Sequence, residues 1–305
     1  MKKIIFIAIA LVAVVSCAKQ EDNLGGATTT EAQEVKFTSG IVSRTSGNEW
    51  EAGDRIGIYT VDGNASGESM RDVNVQYVAD FGGSSTTFSI AEGAKPICLP
   101  ESSPVQLMLM AYYPYDADHS VDNTYTMEIT DQTDLGAIDY MCANAFILED
   151  GISTVNFDLE HMQALAKFNI TGSDTVPSLE GLSFKLENIQ TSGVPSEAPS
   201  PASDGYELAQ YGTIDSAVVN VADDMQSAAV EMILFPASTT YPTDATIYIS
   251  VDGNIYSAPL VTSLLCGKQH TFNITLGADK AEISGAIITD WGNIDGGELE
   301  VEEVE

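Results

Sequence analysis

The sequence predicts an all-β protein made of two β-sandwich domains. Short runs of alternating apolar and polar residues recur about every 10–25 residues, with turn residues between them. No stretch sustains an amphipathic helical pattern over about four turns. The 305 residues fit two domains of about 150 residues each, and a hydrophobic content of 44% is enough for a buried core.

The N-terminal segment is predicted to be a signal peptide covering residues 1–16. Lys2 and Lys3 precede an uninterrupted apolar stretch at 4–15, which is short for a membrane-spanning helix. The residues VVSC at 14–17 resemble a bacterial lipobox, which implies that Cys17 becomes the acylated N-terminus of a lipoprotein. Several acyl chains on one residue anchor a protein stably. The alternative is that Cys17 is an incidental residue of the apolar stretch.

A flexible lipidated tether is predicted over residues 17–34, because this segment is polar, rich in Gly and Thr, and without periodicity. Glu21 and Asp22 closely follow Cys17 and resemble the surface-export signal of lipoproteins from Gram-negative gut and oral anaerobes. We therefore expect a lipoprotein of the outer membrane that is displayed on the cell surface.

The charge of the chain excludes one class of partner. With 45 acidic and 12 basic residues, the formal charge is −33, whereas binding to nucleic acid depends mainly on Lys and Arg. Removal of residues 1–16 deletes two Lys and no acid, so the mature chain is more acidic still. Specific association must then rely on short-range contacts, because salt screens charges over about 8 Å.

The strands follow in order along the mature chain. A first strand at 35–42 shows period-2 alternation, and a second at 54–61 ends at the turn dipeptide Asp62-Gly63. The tetrapeptide VDGN recurs at 251–254 between apolar runs and predicts a hairpin. The segment 191–203 is either a linker or a long loop inside the second domain. Further strand-like runs lie at 85–90, 105–113, 125–129, 154–159, 166–171, 182–189, 217–221, 228–235 and 270–276.

The usual signatures of enzymes and cofactor sites are absent from the sequence. It has three His, and it contains neither a nucleophile elbow, nor a phosphate loop, nor a dinucleotide fingerprint, nor a zinc-protease helix. The acidic clusters at 116–118 and 223–224 lack the ligand spacing of a calcium loop and are typical of solvated turns. We therefore predict no catalytic activity, no metal and no cofactor.

Three cysteines remain after Cys17, namely Cys98, Cys142 and Cys266. Their spacing matches no metal motif, and they are interpreted mainly as small buried hydrophobic residues. A disulfide between two of them is open in an exported protein, but the sequence does not select a pair.

Two sets of residues are candidates for binding or processing. Tyr112, Tyr113 and Tyr115 could stack on sugar rings if exposed, although Tyr on strands is more often half-buried packing. Arg44 is one of only three Arg and lies between the first strand and the turn residues at 46–48. An Arg-specific protease cutting between Arg44 and Thr45 would release the lipid and the first strand.

Loss of the first strand would leave a groove with unpaired backbone groups, which the strand of another chain could fill. The alternative is that Arg44 is simply a solvated residue between two strands.

Four segments in order resemble the fimbrillin family, whose members are subunits and accessory proteins of lipoprotein-derived (type V) pili. They are spread along most of the mature chain: the segment from Phe37 through IVSRTSGNEWEAGDRIGIYTV at 41–61, MAYYPYDAD at 110–118, VNFDLEHMQALAKFNIT at 155–171, and LLCGKQHTFNITL with AEISGAIITDWG between 264 and 292. The individual motifs are short and degenerate, and their order makes the resemblance specific.

The resemblance implies two tandem transthyretin-like β-sandwich domains, at 35–151 and 152–291, followed by an acidic C-terminal tail at 292–305. It also implies cleavage at Arg44 and strand exchange in stalk subunits. His161 and Trp291 belong to family motifs and are interpreted as packing or hydrogen-bonding residues. In the tail, Leu299 and Val301 alternate with Glu, so it could add a strand or be a solvated end.

The expected function is that of a structural pilus subunit that supports adhesion. Its expected partners are other pilus subunits, an Arg-specific protease, and a host glycan or protein. The alternative is a monomeric surface lipoprotein that binds glycans through exposed aromatic residues. The sequence does not assign a stalk, anchor or tip role.

Overall fold

A computed structural model of the chain describes most of the sequence after the tether. The described residues are 33–41, 49–62, 70–99, 107–119, 126–147, 153–195, 206–215, 218–237, 244–260, 263–277 and 281–291. Nearly all regular structure in these ranges is β, as predicted, and the one helix among them is the four-residue α1, Leu135–Ile138.

Seventeen strands are found in the described residues. Those of the first half are β1 Lys36–Ile41, β2 Arg55–Asp62, β3 Met70–Ala79, β4 Ser85–Ile90, β5 Leu107–Tyr113, β6 Met127–Glu128, β7 Met141–Ile147 and β8 Thr154–His161. Those of the second half are β9 Ala164–Gly172, β10 Ser183–Pro195, β11 Tyr206–Asp215, β12 Asn220–Val221, β13 Ser227–Leu234, β14 Thr246–Val251, β15 Asn254–Pro259, β16 Lys268–Leu276 and β17 Ala281–Asp290.

The first half forms a closed barrel with the strand order β1-β4-β3-β2-β5-β7-β8. Closure depends on β1, which pairs antiparallel with β4 and parallel with β8. Alternate side chains of these strands fill the interior, because successive residues of a strand face opposite sides. Among the buried interior residues are Val35, Phe37, Ile56, Ile58, Phe88, Leu109, Val155 and Phe157. Continuous pairing through β1 therefore replaces the two separate sheets expected of a sandwich.

The second half consists of two sheets that share one apolar core. One sheet has the order β11-β10-β14-β15, with β6 also paired to β10, and the other has the order β12-β13-β9-β16-β17. Phe168 on β9 and Phe272 on β16 stack with ring centroids 4.9 Å apart, and Phe184 of the facing sheet lies 4.7 Å from Phe168. This arrangement is a two-layer β-sandwich.

The barrel and the sandwich are joined without a flexible linker. Only Met162 and Gln163, both buried, separate β8 from β9. The segment between β5 and β7 reaches over the second half: β6 pairs with β10, and the buried side-chain amide of Gln132 bonds both the N–H and the carbonyl of Ile233. The predicted domain boundary at 151 falls before β8. Because β8 pairs with β1 and β7 of the barrel, the chain passes from the barrel to the sandwich only after His161.

Two sequence expectations about turns have clear outcomes. The VDGN hairpin is confirmed: β14 and β15 pair around Asp252 and Gly253, both with positive φ. The segment 191–203 is no interdomain linker, because its first residues continue β10, which pairs antiparallel with β11. Its residues 196–203 lie outside the described ranges.

Among the described residues, no helix is long and apolar enough to cross a membrane.

Candidate functional site

The candidate site is strand β1 together with the two strands that hold it. Side chains that point into the barrel are fully covered: Val35, Phe37 and Ser39 are at most 1% exposed. The register places Phe37 opposite Phe88 on β4 and opposite Val155 on β8. β1 is therefore part of the barrel core and not an appended edge strand.

Backbone pairing ties both edges of this segment to the barrel. Just before the strand, the Val35 N–H donates to the Ile97 carbonyl at 2.9 Å, and at its first residue the Lys36 N–H donates to the Ser153 carbonyl at 2.6 Å. Within the strand, six residue pairs align with β8 and four with β4. Removal of β1 would expose the facing backbone groups of both neighbours and open the apolar interior, because a sheet edge carries unpaired donors and acceptors.

Phe37 makes the main aromatic contacts of β1. Its ring meets Tyr77 edge-on at a centroid distance of 4.8 Å and stacks on Phe157 at 5.6 Å. The Tyr77 hydroxyl in turn accepts the Ile97 N–H at 2.9 Å, so the pocket wall is itself fixed by a hydrogen bond. The ring of Phe37 thus occupies an aromatic pocket between β3 and β8.

The next residue facing inward is small and polar. Ser39 is fully buried, and its hydroxyl donates to the Phe157 carbonyl at 2.8 Å. A serine contributes much less apolar area than a Val or Leu would at this position. β1 is consequently held by one large ring and by backbone pairing more than by a continuous apolar face.

The chain is fixed again soon after β1. The Trp50 N–H donates to the Gly83 carbonyl at 2.7 Å, and the Gly83 N–H donates back at 2.9 Å. The buried Trp50 ring meets Phe88 and Tyr113 edge-on, at 5.1 and 5.7 Å. Residues 42–48, which include Arg44 and Thr45, lie outside the described ranges, as do Cys17 and the tail 292–305. Arg44 therefore falls in the short interval between two anchored positions, Ile41 and Trp50.

The tyrosine candidates face inward. Tyr112 and Tyr113 are 3% and 9% exposed, and Tyr115 is half-buried against the apolar core. The Tyr112 hydroxyl donates to the Asn74 side chain at 2.7 Å, and its ring stacks on His119 at 3.8 Å. Rings held in this way do not offer free faces for stacking on sugars, so the structure does not favour the glycan-binding alternative.

His119 lies in a buried aromatic cluster at the junction of the barrel and the sandwich. Its Nδ1 lies 3.0 Å from the Tyr59 hydroxyl and its Nε2 lies 3.1 Å from the Tyr140 hydroxyl. Burial lowers the pKa of His119 to about 4. The imidazole is therefore neutral at pH 7 and serves as a hydrogen-bonding core residue.

His161 and Trp291 form a second buried contact across the junction. The two rings stack at 3.9 Å with an interplanar angle of 5°, and His161 Nδ1 lies 2.7 Å from Asp139 Oδ1. Trp291 also donates its backbone N–H to the Gly267 carbonyl at 3.3 Å. The expected packing and hydrogen-bonding roles of both residues are confirmed. In the part of the chain that the structure describes, no group of three His, Cys, Asp or Glu is arranged to hold a metal.

Comparison with known proteins identifies the family. The model of the fimbrillin-like family matches residues 43–291, which is most of the chain. The chain belongs to the fimbrillin-like family. This fimbrillin-like protein is also 28% identical to a candidate fimbrium subunit, Fim1C, of Bacteroides uniformis, over 278 residues that cover 86% of each chain.

Two solved structures share the fold of this fimbrillin-like protein. A candidate cell adhesion protein from Bacteroides uniformis superposes with a TM-score of 0.68 at 22% identity, covering 87% of this chain and 100% of that one. A second, from Bacteroides ovatus, gives a TM-score of 0.67 at 21% identity, covering 87% and 99%. At these identities the likeness concerns the fold.

Sequence patterns did not reveal which strands lie on either side of β1. Phe88 and Phe157 were recognisable as apolar residues on strands, but nothing in a linear pattern shows that β8 runs parallel to β1, more than 110 residues away. Nor does a linear pattern show that Trp50 anchors the chain after Arg44 by pairing with Gly83. The one available signal was the alternation at 154–159, which marks a strand without naming its partner.

Proposed function

We propose that this fimbrillin-like protein is a structural subunit of a cell-surface pilus. In this proposal it is exported as an outer-membrane lipoprotein anchored through Cys17, cleaved after Arg44 by an Arg-specific protease, and assembled with other pilus subunits by strand exchange. Its membership of the fimbrillin-like family supports a fimbrial or adhesive role. The division into two tandem transthyretin-like domains belongs to the same proposal, supported by separate cores inside the barrel and between the two sheets.

The single observation that carries the proposal is the position of β1. The strand closes the barrel between β4 and β8, and Arg44 follows its last residue, Ile41, within three positions. A cut after Arg44 separates β1 from the rest of the barrel without breaking any other strand. The remaining groove would be apolar, lined by Phe88, Val155 and Phe157, and bordered by two sheet edges.

The incoming strand would have to satisfy the same contacts as β1. It would need a large apolar side chain at the position of Phe37 and a small one at the position of Ser39, because these pockets differ in size. A strand from another pilus subunit is the occupant we propose, since backbone pairing on two sides gives affinity while the alternate pockets give specificity.

Cleavage and assembly can be tested with three full-length forms: wild type, Arg44→Ala, and the matched control Arg55→Ala. Arg55 is solvent-exposed and is the first residue of β2, a paired strand of the barrel. Its replacement should therefore leave cleavage after Arg44 unaffected. Each form is produced in a cell that supplies the Arg-specific protease. Wild type and Arg55→Ala are expected to give detergent-resistant ladders, and Arg44→Ala only monomer.

Equal ladders from wild type and Arg44→Ala would contradict the cleavage step. Monomer from all three forms would contradict polymerisation, whereas N-terminal sequencing of the product would still report whether the chain begins at Thr45.

A further inference from the structure

Two thiols lie at the end of β8, where the barrel contacts the sandwich. Cys142 lies on β7, with its Cα opposite that of Glu160 on β8, one residue before His161. Its neighbour Met141 faces the barrel interior, so Cys142 faces the other side, where it belongs to the apolar cluster of the sandwich. Cys142 therefore belongs to a strand of the barrel, but its side chain is buried in the apolar core of the sandwich.

Cys266 reaches the same place from the second half of the chain. Its Sγ lies 3.6 Å from the His161 carbonyl, and it packs, partly buried, against the apolar cluster that contains Cys142. The turn that carries it is fixed on both sides. The Gly267 N–H donates to the Gln163 carbonyl at 2.8 Å, and the Leu265 N–H donates to His270 Nε2 at 2.9 Å. Cys266 is therefore held against the end of β8.

Both cysteines are thiols, so no disulfide joins any two of Cys98, Cys142 and Cys266. Burial raises the pKa of Cys142 above its ordinary value, and the charge that Cys266 would carry raises it further, followed by that of Glu160. The geometry places both residues at the same strand end: Cys142 lies opposite Glu160 of β8, and the Cys266 Sγ lies against the carbonyl of the next residue, His161.

We propose that Cys142 and Cys266 are an oxidisable pair whose disulfide ties strand β7 of the barrel to the turn that precedes β16. Cys142 belongs to the barrel and Cys266 to a turn of the sandwich, so the bond would restrain the barrel against the sandwich. It would close a loop of more than 100 residues of the unfolded chain, and long loops gain the most from a cross-link in the chain-entropy model. The proposal is independent of cleavage at Arg44.

The reaction needs an external disulfide as oxidant, for example oxidised glutathione. Cys266 is the more accessible thiol, and its thiolate attacks the oxidant, forming a mixed disulfide and releasing one glutathione thiolate. Cys142 then loses its proton and attacks the Cys266 sulfur, which releases the second glutathione. Overall the two protein thiols lose two electrons and two protons, and one glutathione disulfide becomes two glutathione thiols. In the mixed disulfide Cys266 carries no charge, which removes one cause of the raised pKa of Cys142.

The test uses the folded mature protein, treated with oxidised glutathione under native conditions and digested without reductant. We expect a peptide pair linked through Cys142 and Cys266, in a protein that stays monomeric, and its loss after dithiothreitol. Cys142→Ser should stop at a glutathione adduct on Cys266, and Cys266→Ser should leave Cys142 unmodified, because that thiol is buried.

Three results would overturn the proposal: a glutathione adduct that persists on Cys266 of the wild type, a disulfide-linked dimer, or two unreacted thiols. These results need no variant to fold. The oxidised wild type is expected to melt about 5 °C or more above the reduced form. An unchanged midpoint in linked protein would contradict a restraint between barrel and sandwich.

Discussion

The ring of Phe37 on β1 stacks on that of Phe157 on the parallel strand β8, with centroids 5.6 Å apart and an interplanar angle of 20°. The two residues are 120 positions apart in the chain, and their contact helps to close the barrel. It joins the segment before Arg44 to the body of the protein. Together with the backbone pairing of β1, this contact helps to retain the proposed exchangeable strand.

Replacement of the ring tests this contact directly. Phe37→Ala should lower the free energy of unfolding by about 3–5 kcal/mol, because it leaves a cavity in a fully buried aromatic pocket. The matched control is Phe81→Ala, since Phe81 is 48% exposed and should change stability by less than about 0.5 kcal/mol. Guanidinium unfolding followed by tryptophan fluorescence measures both. Equal losses in the two variants would show that Phe37 is not a principal anchor of β1.

The buried hydroxyl of Ser39 provides a second test on the same strand. Ser39→Ala removes the donor to the Phe157 carbonyl and should destabilise the protein by about 1 kcal/mol. Thr38→Ala serves as control, because the Thr38 hydroxyl bonds the Asn156 side chain at a solvent-exposed position. The difference between their unfolding midpoints reports the buried bond. If Ser39→Ala were more stable than the wild type, the buried hydroxyl would be shown to destabilise the barrel.

Stability should fall in mild acid because of His119 and His270. Burial lowers the pKa of each to about 4, from 6.5 in the unfolded chain. The unfolded state then binds more protons between these values, so stability is complete above pH 6.5 and is lost as the pH falls towards 4. Each group contributes a slope of up to about 1.4 kcal/mol per pH unit.

The variant His270→Gln isolates one of these groups. The amide oxygen can still accept the Leu265 N–H that Nε2 accepts in the wild type, and it does not titrate. Urea unfolding between pH 5 and 6.5 should show a slope smaller than that of the wild type by about 1 kcal/mol per pH unit. An unchanged slope would assign the acid sensitivity to other groups.

The proposed lipid attachment at Cys17 is tested by labelling and cell fractionation. Wild type labelled with a fatty-acid probe should carry the label and sediment with membranes, because several acyl chains anchor stably. Cys17→Ser should lose both properties, whereas the control Cys266→Ser should keep them. Label retained in Cys17→Ser would exclude this residue as the acylation site.

Local patterns were sufficient for many individual strands. The alternation at 154–159 and at 228–235 corresponds to β8 and β13, and Asp252-Gly253 correctly marked a hairpin turn. Strands with weak alternation were missed. β3 has mostly half-exposed residues and an irregular register around Asn74, whose φ is positive, and β7 contains several small residues. Such strands are stabilised by their neighbours more than by their own pattern.

The sequence by itself determined the all-β class, the charge that excludes nucleic acid, the hairpin turn at Asp252-Gly253 and the position of Arg44 just after the first strand. At Phe37, Ser39, Cys142 and Cys266, local patterns did not indicate any special role. Only the tertiary structure decided that β1 closes a barrel between β4 and β8, that the tyrosines face inward, and that both thiols lie at the end of β8. Periodicity reports which face of a strand is buried, because it arises within one segment. Pairing between segments more than 100 residues apart depends on the whole folded chain.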